Sequence, residues 1–346
     1  MNLRLTWHKL THWEYWPYQV VYTPIYFQYI YYALRTRSFF YFNASNPTIR
    51  NGGFFMESKK EIYDLIPEAY YPKTVLINSG TSLEEINENI IKNKIEFPFI
   101  AKPDIGLRGT AVKKIDSVED LIKYSTKANF DFLIQEFIPY PNEIGLFYVK
   151  LPNEMNGKIT GIVSKEFLII KGNGLNTIKE LLLKDPRYEF QLEVLQKEYG
   201  DRLNQILPEN ESLNLVPYGN HCRGTKFIDF SHYITPKLEE TFTQICNQIN
   251  GFYYGRMDIM FDSFEKLEEG KNFQIVEING AISEPTHIYD PNHSLFFGWK
   301  ELIRHFHYLY KISKHNNKNG ATYLSFKDGV SEFKKHNQFY NSILKF

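Results

Sequence analysis

The spacing of hydrophobic positions divides the chain into four regions, expected at residues 1–94, 95–138, 139–314 and 315–346. The first is aromatic and helical in pattern, densest from Thr11 to Phe42, and it ends in the turn-rich stretch Asn46–Phe54. Ser58 with Glu61, and Ser82 with Glu85, then have the three-residue spacing of a capping box and predict helix starts. In the second of these helices Leu83, Ile86, Ile90 and Ile91 are expected to form one apolar stripe.

The second region opens with the strand-like run Phe97–Lys102, followed by the glycine-bearing loop Asp104–Lys114. A helix capped by Ser117 and the strand Phe132–Phe137 complete a small α+β lobe. The third region is larger and mixed. Its strand candidates are LFYVKL, ITGIV, GRMDIMF and FQIVEI. Thr235 and Pro236 start a helix with Leu238, Phe242, Ile245, Cys246 and Ile249 on one face. A second helix is expected to bury Trp299, Leu302, Ile303, Phe306 and Leu309. After Lys314 the sequence HNNKNGATYL reads as a linker, and the last two dozen residues as an appendage without chemical signal.

Lys+Arg and Asp+Glu number 40 each, so no basic field attracts a polyphosphate backbone and nucleic acid is not an expected partner. Any positive potential must be local. The two cysteines, Cys222 and Cys246, have neither disulfide-framework nor zinc spacing, which suits a reducing cytosol. The start of the chain does not read as a signal peptide, and a cytoplasmic location is expected. Aromatic residues make up 16% of the chain. Val20–Leu34 falls short of the ~20 apolar residues of a spanning helix. Two readings of residues 11–42 stay open: a helical lid packed on the protein or on a second copy, or peripheral contact with the inner face of a membrane.

Candidate chemistry lies on two strands. Glu277 and Asn279 are two apart in FQIVEING, so alternation puts their oxygens on one face, where they can converge on a hard cation such as Mg²⁺. Arg256 and Asp258 share a face of GRMDIMF in the same way. Charges in a buried strand are costly unless paired or coordinating, so these serve as phosphate clamp and metal ligand or form a structural ion pair. In the small lobe, Lys102 closes an apolar strand just before the glycine loop, where a lysine can reach phosphate oxygens; a solvated lysine on a hairpin is the plain alternative. Glu136 and Glu143 flank the proline-stiffened segment with Pro139 and Pro141. No P-loop motif exists in the chain.

With these residues in order, the sequence resembles the ATP-grasp superfamily over roughly residues 96–312. The Glu136/Glu143 spacing and the terminal Glu277-x-Asn279 are similar to D-alanine–D-alanine ligases. The segment IIKGNGLNTIKELLLKDPR instead resembles the GDG-x-x-Thr-Ile-x-x-Leu segment of cyanophycin synthetases. The resemblance implies an α+β fold in which two α+β lobes clasp ATP, here preceded by the aromatic-rich, partly helical N-terminal region. It further implies that Lys102 and Lys165 hold the phosphates, with Gly106, Arg108 and Gly109 in the covering loop. Glu136, Phe137 and Ile138 would line the adenine and Glu143 would take the ribose. Asp258, Glu277 and Asn279 would bind two Mg²⁺ ions, with Mn²⁺ an alternative. Arg256, Lys165 and Arg223 would act on the transferring phosphoryl group. The implied activity joins a small carboxylate to an amine through an acyl phosphate, releasing ADP and phosphate. A small-molecule kinase, and a non-catalytic membrane-associated nucleotide-binding protein, remain as alternatives.

The sequence departs from D-alanine ligases after Asn279, where GAISEPTHIYDPNHSLF replaces a Pro-Gly segment. There Glu284, His287 and Asp290 are candidates for holding an amine or acting as base, beside the plain reading of loop polarity and capping. The stretch NGGFFMESKK offers the helix start at Ser58 to an anionic group, beside an ordinary turn and cap.

Overall fold

The computed structural model describes residues 3–106, 109–216, 224–344 and 346. Its small lobe is an antiparallel sheet of β1 (Thr74–Ile77), β2 (Phe99–Pro103), β3 (Lys113–Ile115) and β4 (Phe132–Glu136), in the order β1-β4-β2-β3. Helices Leu83–Lys92 and Val118–Lys127 cover one face, each with its serine cap formed. This sheet takes its first strand from well upstream of residue 95, because β1 pairs along its whole length with Phe132–Gln135 of β4. Of the expected stripe, Ile86 and Ile90 are buried, whereas Leu83 and Ile91 face solvent, Ile91 at 75%. Adjacent residues lie ~100° apart on a helix, so Ile90 and Ile91 point to different sides.

The large lobe is a second antiparallel sheet of β5 (Asn142–Val149), β6 (Lys158–Glu166), β9 (Lys226–Asp229), β10 (Tyr254–Phe261) and β11 (Phe273–Asn279), in the order β11-β10-β5-β6-β9. Between β6 and β9 the chain forms a two-stranded sheet of β7 (Leu168–Lys171) and β8 (Ser212–Val216), closed by its own apolar cluster. Thr177 there caps the helix Ile178–Leu182 with a capping box. One face of the five-stranded sheet packs on helix Pro236–Cys246, through Leu238, Phe242, Ile245 and Cys246 against Met257, Ile259, Phe261 and Ile275. Ile249 is buried in the same cluster, as the periodicity predicted.

The other face is shared. At one end Phe147, Val149 and Tyr254 pack against Leu309, Tyr310 and Ile312 of the helix Leu295–Lys318. Residues expected to act as a linker after Lys314 continue this helix; Asn316 is buried and donates to the carbonyl of Ala44. Ile303, expected inside, is 43% exposed. The aromatic helix Thr23–Thr36 lies alongside and buries Ile25 and Tyr32, the latter stacked on Tyr310 at 4.1 Å. No helix among the described residues is long and apolar enough to cross a membrane.

The N-terminal region is part of the body rather than a detachable cover. The buried Asn46 side chain accepts from the amides of Tyr253 and Tyr254 and donates to the carbonyls of Tyr254 and Gly52. The last residues are also integrated. Helix Phe326–Ile343 joins the N-terminal region, where Glu332 meets Arg50 at 2.8 Å, to the small-lobe core, which takes in Ile343.

Candidate functional site

On the open part of the large sheet, strand register assembles charged residues from four strands. Asp258 on β10 lies across from Gly145 on β5 and from Glu277 on β11; Arg256 lies across from Phe147 and Asn279. In β11, Phe273 and Ile275 face the core, so strict alternation would send Glu277 inward as well. The register shifts between Asp258 and Ile259, leaving Val276 as the extra residue of a bulge, and Glu277 and Asn279 turn to the face that carries Arg256 and Asp258. Gly145 leaves room for this cluster. A Cβ there would stand 3.0 Å from the Arg256 side chain and 2.9 Å from that of Val163.

Asp258 holds two cations at once. Arg256 Nε donates to its Oδ1 at 2.8 Å, and Lys165 Nζ lies 3.3 Å from its Oδ2 while also bonding Glu143. Burial would raise the Asp258 pKa, but Arg256 and Lys165 outweigh it and hold it at about 2. Burial works equally against the cations, yet Asp258 and Glu143 keep Lys165 above its ordinary value, and Asp258 with Glu277 does the same for Arg256. The row Glu143, Lys165, Asp258, Arg256 alternates acid and base, and its formal charges sum to zero. The Arg256–Asp258 ion pair left open by the sequence is formed.

Lys102 meets this cluster from the small lobe. Its buried Nζ donates to Gln135 Oε1 at 2.8 Å, Tyr63 Oη at 2.9 Å and the bulged carbonyl of Val276 at 3.1 Å. Burial lowers its pKa to about 8, against the opposing pull of Glu277 and Asp258. Lys59 bonds the Gly106 carbonyl at 2.8 Å and stands 3.6 Å from Glu277, tying the start of the glycine loop to the metal-candidate strand. The short helix beginning at Lys59 has its N-terminus filled from within: Asp104 Oδ1 accepts from Ser58 Oγ and from the Lys60 amide. The plain cap reading of NGGFFMESKK holds at Ser58.

Glu143, Lys165, Arg256, Asp258 and Glu277 are thus brought together, with Lys102 beside them and Asn279 directly across from Arg256 on the same face. Glu136, at the end of β4, faces away and is 3.9 Å from Lys73. Phe137 is exposed beneath Lys114, while Ile138 is buried. Gly109 adopts φ +71°, a conformation that favours glycine. Arg108 and Arg223 lie outside the described residues. Sequence reading gave no role to Gln135, Tyr63 and Gly145. A glutamine within the apolar run FLIQEF was the available signal for the first of them.

Among the described residues no three His, Cys, Asp or Glu side chains converge as a metal site would require. The donor set is mixed instead. Glu277 has a partly open carboxylate, and the buried amide nitrogen of Asn279 has no hydrogen-bond partner among the described residues. Both residues fit a hard cation that arrives with phosphate oxygens. Asp258 fits only by loosening its hold on Lys165 or Arg256. A cleft of about 540 Å³ opens beside Glu143 and Lys165, walled by Phe230, Tyr233 and Phe264.

The loop after Asn279 turns sharply back. Gly280 meets Gly52 and Gly53, whose carbonyls accept from the amides of Ala281 and Ile282 at 2.9 and 3.0 Å. Asp290 accepts from the amides of Asp229 and Asn292, a structural role. His287 covers Gly161 and lies 3.6 Å from Glu301, which also bonds Arg304. Glu284 accepts from Tyr22 and lies 3.5 Å from Tyr289 Oη. Burial raises the Glu284 pKa from 4.5 to about 7. A carboxyl whose folded pKa exceeds its unfolded one favours folding below the unfolded value, and that contribution is lost as pH rises through about 7. Glu284→Gln is therefore expected to raise the melting temperature at pH 8 relative to the parent, and not at pH 4. Thermal melts at the two pH values check this, and equal shifts at both would contradict it.

No protein-family model and no curated protein sequence matches the chain. Several solved structures do. A bifunctional glutathione synthetase from Pasteurella multocida matches at 15% identity and TM-score 0.40, over 74% of this chain and 38% of that one. A D-alanine–D-alanine ligase from Bacillus anthracis matches at 14% and 0.44, over 76% and 69%. The VanG D-Ala:D-Ser ligase from Enterococcus faecalis matches at 13% and 0.42, over 73% and 61%. The chain thus spans little more than a third of the first of these enzymes and about two thirds of the others. At these scores the overlap is partial. Its two antiparallel α+β lobes, meeting at Lys102 and β11 behind an aromatic N-terminal region, are the arrangement that the ATP-grasp resemblance implies.

Proposed function

We propose that the chain is an ATP-dependent carboxylate–amine ligase. The observation that carries this reading is the Lys165–Asp258–Arg256 cluster, held ionised on one sheet face directly across from Glu277 and Asn279. With the row Glu143 to Arg256 neutral in sum, the charge of a triphosphate must be met by other cations. Lys102 and Lys59 supply part, and a divalent ion held by Glu277 and Asn279, with Asp258 if its cation pairs loosen, would supply the rest by neutralising phosphate oxygens.

In this reading a substrate carboxylate oxygen attacks the γ-phosphorus, the bond to the ADP oxygen breaks, and an acyl phosphate forms. Arg256, which burial and Asp258 fix in place, takes the charge developing on the transferring group. Lys165 holds a phosphate oxygen while remaining tied to Glu143. The amine then attacks the acyl carbon, loses its proton, and phosphate leaves. Loop residues from Gly106 onward exclude water that would otherwise consume the acyl phosphate.

Hydroxylamine distinguishes this from phosphorylation of a hydroxyl. Incubation with ATP, Mg²⁺, hydroxylamine and a panel of carboxylates is expected to yield a hydroxamate and ADP for the true substrate. ADP formation with a stable phosphoester and no hydroxamate would assign the chain as a kinase instead.

A further inference from the structure

The helices Thr23–Thr36 and Leu295–Lys318 pack side by side and present a common outer surface: Gln28 Nε2 donates to the Ile303 carbonyl, and Tyr32 Oη pairs with His307. On the first helix Phe27, Ile30, Tyr31 and Leu34 form an exposed i, i+3, i+4, i+7 stripe; Phe27 is 72% and Leu34 73% exposed. On the second helix Phe296 and Ile303 continue the apolar surface, Phe296 at 76% exposure. So contiguous an exposed apolar face marks a contact surface.

Charge identifies the contact. The chain as a whole is neutral, yet these two helices and the turn after the first carry exposed cations, among them Arg35, Arg37, Lys300 and Lys311. Their sole carboxylate is Glu301, which is buried and neutralised by Arg304. An apolar, aromatic stripe bordered by cations and free of exposed acid matches a lipid interface with anionic headgroups. A second copy of the same face fits poorly, because a two-fold contact would set the four cations of one copy against those of the other.

We propose that this two-helix face docks the protein on the surface of an anionic bilayer, with Phe27, Ile30, Leu34 and Phe296 in the headgroup region and Arg35, Arg37, Lys300 and Lys311 on the phosphates. The contact is peripheral, since neither helix is long and apolar enough to span. It does not depend on the ligase reading, because none of these residues belongs to the nucleotide site.

Sedimentation of the full chain with vesicles tests this. Binding is expected to vesicles in which one third of the phosphatidylcholine is replaced by phosphatidylglycerol, and to weaken with added salt. The double variant Phe27→Ser/Leu34→Ser is expected to lose about tenfold or more in partitioning, and Arg35→Glu/Arg37→Glu at least as much. All four side chains are exposed, so melting temperatures should stay at the parent value and exclude misfolding. Failure of the parent to sediment with anionic vesicles would overturn the proposal. So would binding that neither double variant reduces. A dimer seen by light scattering that the Phe27→Ser/Leu34→Ser change dissolves, without vesicle binding by the parent, would assign the face to self-association instead.

Discussion

Glu277→Ala is expected to remove the Mg²⁺ dependence of ATP binding and to lower turnover by about 10³-fold or more, equivalent to ~4 kcal/mol of transition-state stabilisation. Glu277 reaches the site face only through the bulge at Val276, and among the described residues it forms an ion pair with Lys59 alone, at 3.6 Å. Its side chain is 31% exposed, so the fold gains little from it and the melting temperature should hardly move. Calorimetric titration with ATP, with and without Mg²⁺, separates the site from the fold. The parent should bind more tightly with the metal, and the variant should bind alike in both conditions. Equal Mg²⁺ enhancement in parent and variant would remove Glu277 from the metal site, while leaving the Arg256–Asp258–Lys165 cluster as the phosphate-binding element.

Gly280→Val should be strongly destabilising, costing about 3 kcal/mol. A Cβ at this position would stand 2.4 Å from the Gly52 carbonyl oxygen and 2.9 Å from the Gly53 Cα. Both are backbone atoms that no rotamer change can move aside. Relief requires the Gly52–Gly53 turn to lift, which breaks the bonds to the amides of Ala281 and Ile282. Because Lys59 follows that turn by six residues, ATP affinity should fall together with stability. Urea unfolding measures the first effect as a lower midpoint at unchanged slope. A midpoint equal to that of the parent would mean that the N-terminal region docks elsewhere.

These two changes probe the same corner of the molecule from opposite sides. The end of β11 carries the candidate oxygen ligands, the turn after it anchors the N-terminal region, and its bulged carbonyl receives Lys102 from the small lobe. Opening the lobes about this corner would strip Lys102 of one of three partners. Burial has already lowered its pKa to about 8, so a phosphate at this place would favour its charged form.

What the sequence determined by itself is local. Alternation put Glu277 with Asn279, and Arg256 with Asp258, each pair on one face, because a strand repeats every two residues whatever it pairs with. Helical periodicity likewise found Leu238, Phe242, Ile245 and Cys246 of the helix starting at Pro236 but not its buried Thr243, and the caps at Ser58, Ser82, Ser117 and Thr235 need only residues three apart. The tertiary structure decided what depends on a neighbour. Continued alternation from Phe273 and Ile275 would have sent Glu277 into the core, and only pairing with β10 introduces the bulge that turns it out. Ile303 follows the helical stripe yet is exposed, because the aromatic helix beside it covers the adjoining surface and leaves that position outside. The last helix has no chemical signal of its own, and its place between Arg50 and the small-lobe core is set by contacts about 200 to 280 residues apart in sequence. Periodicity is a property of one backbone segment, whereas register, ion pairing and exposure belong to the segments it meets.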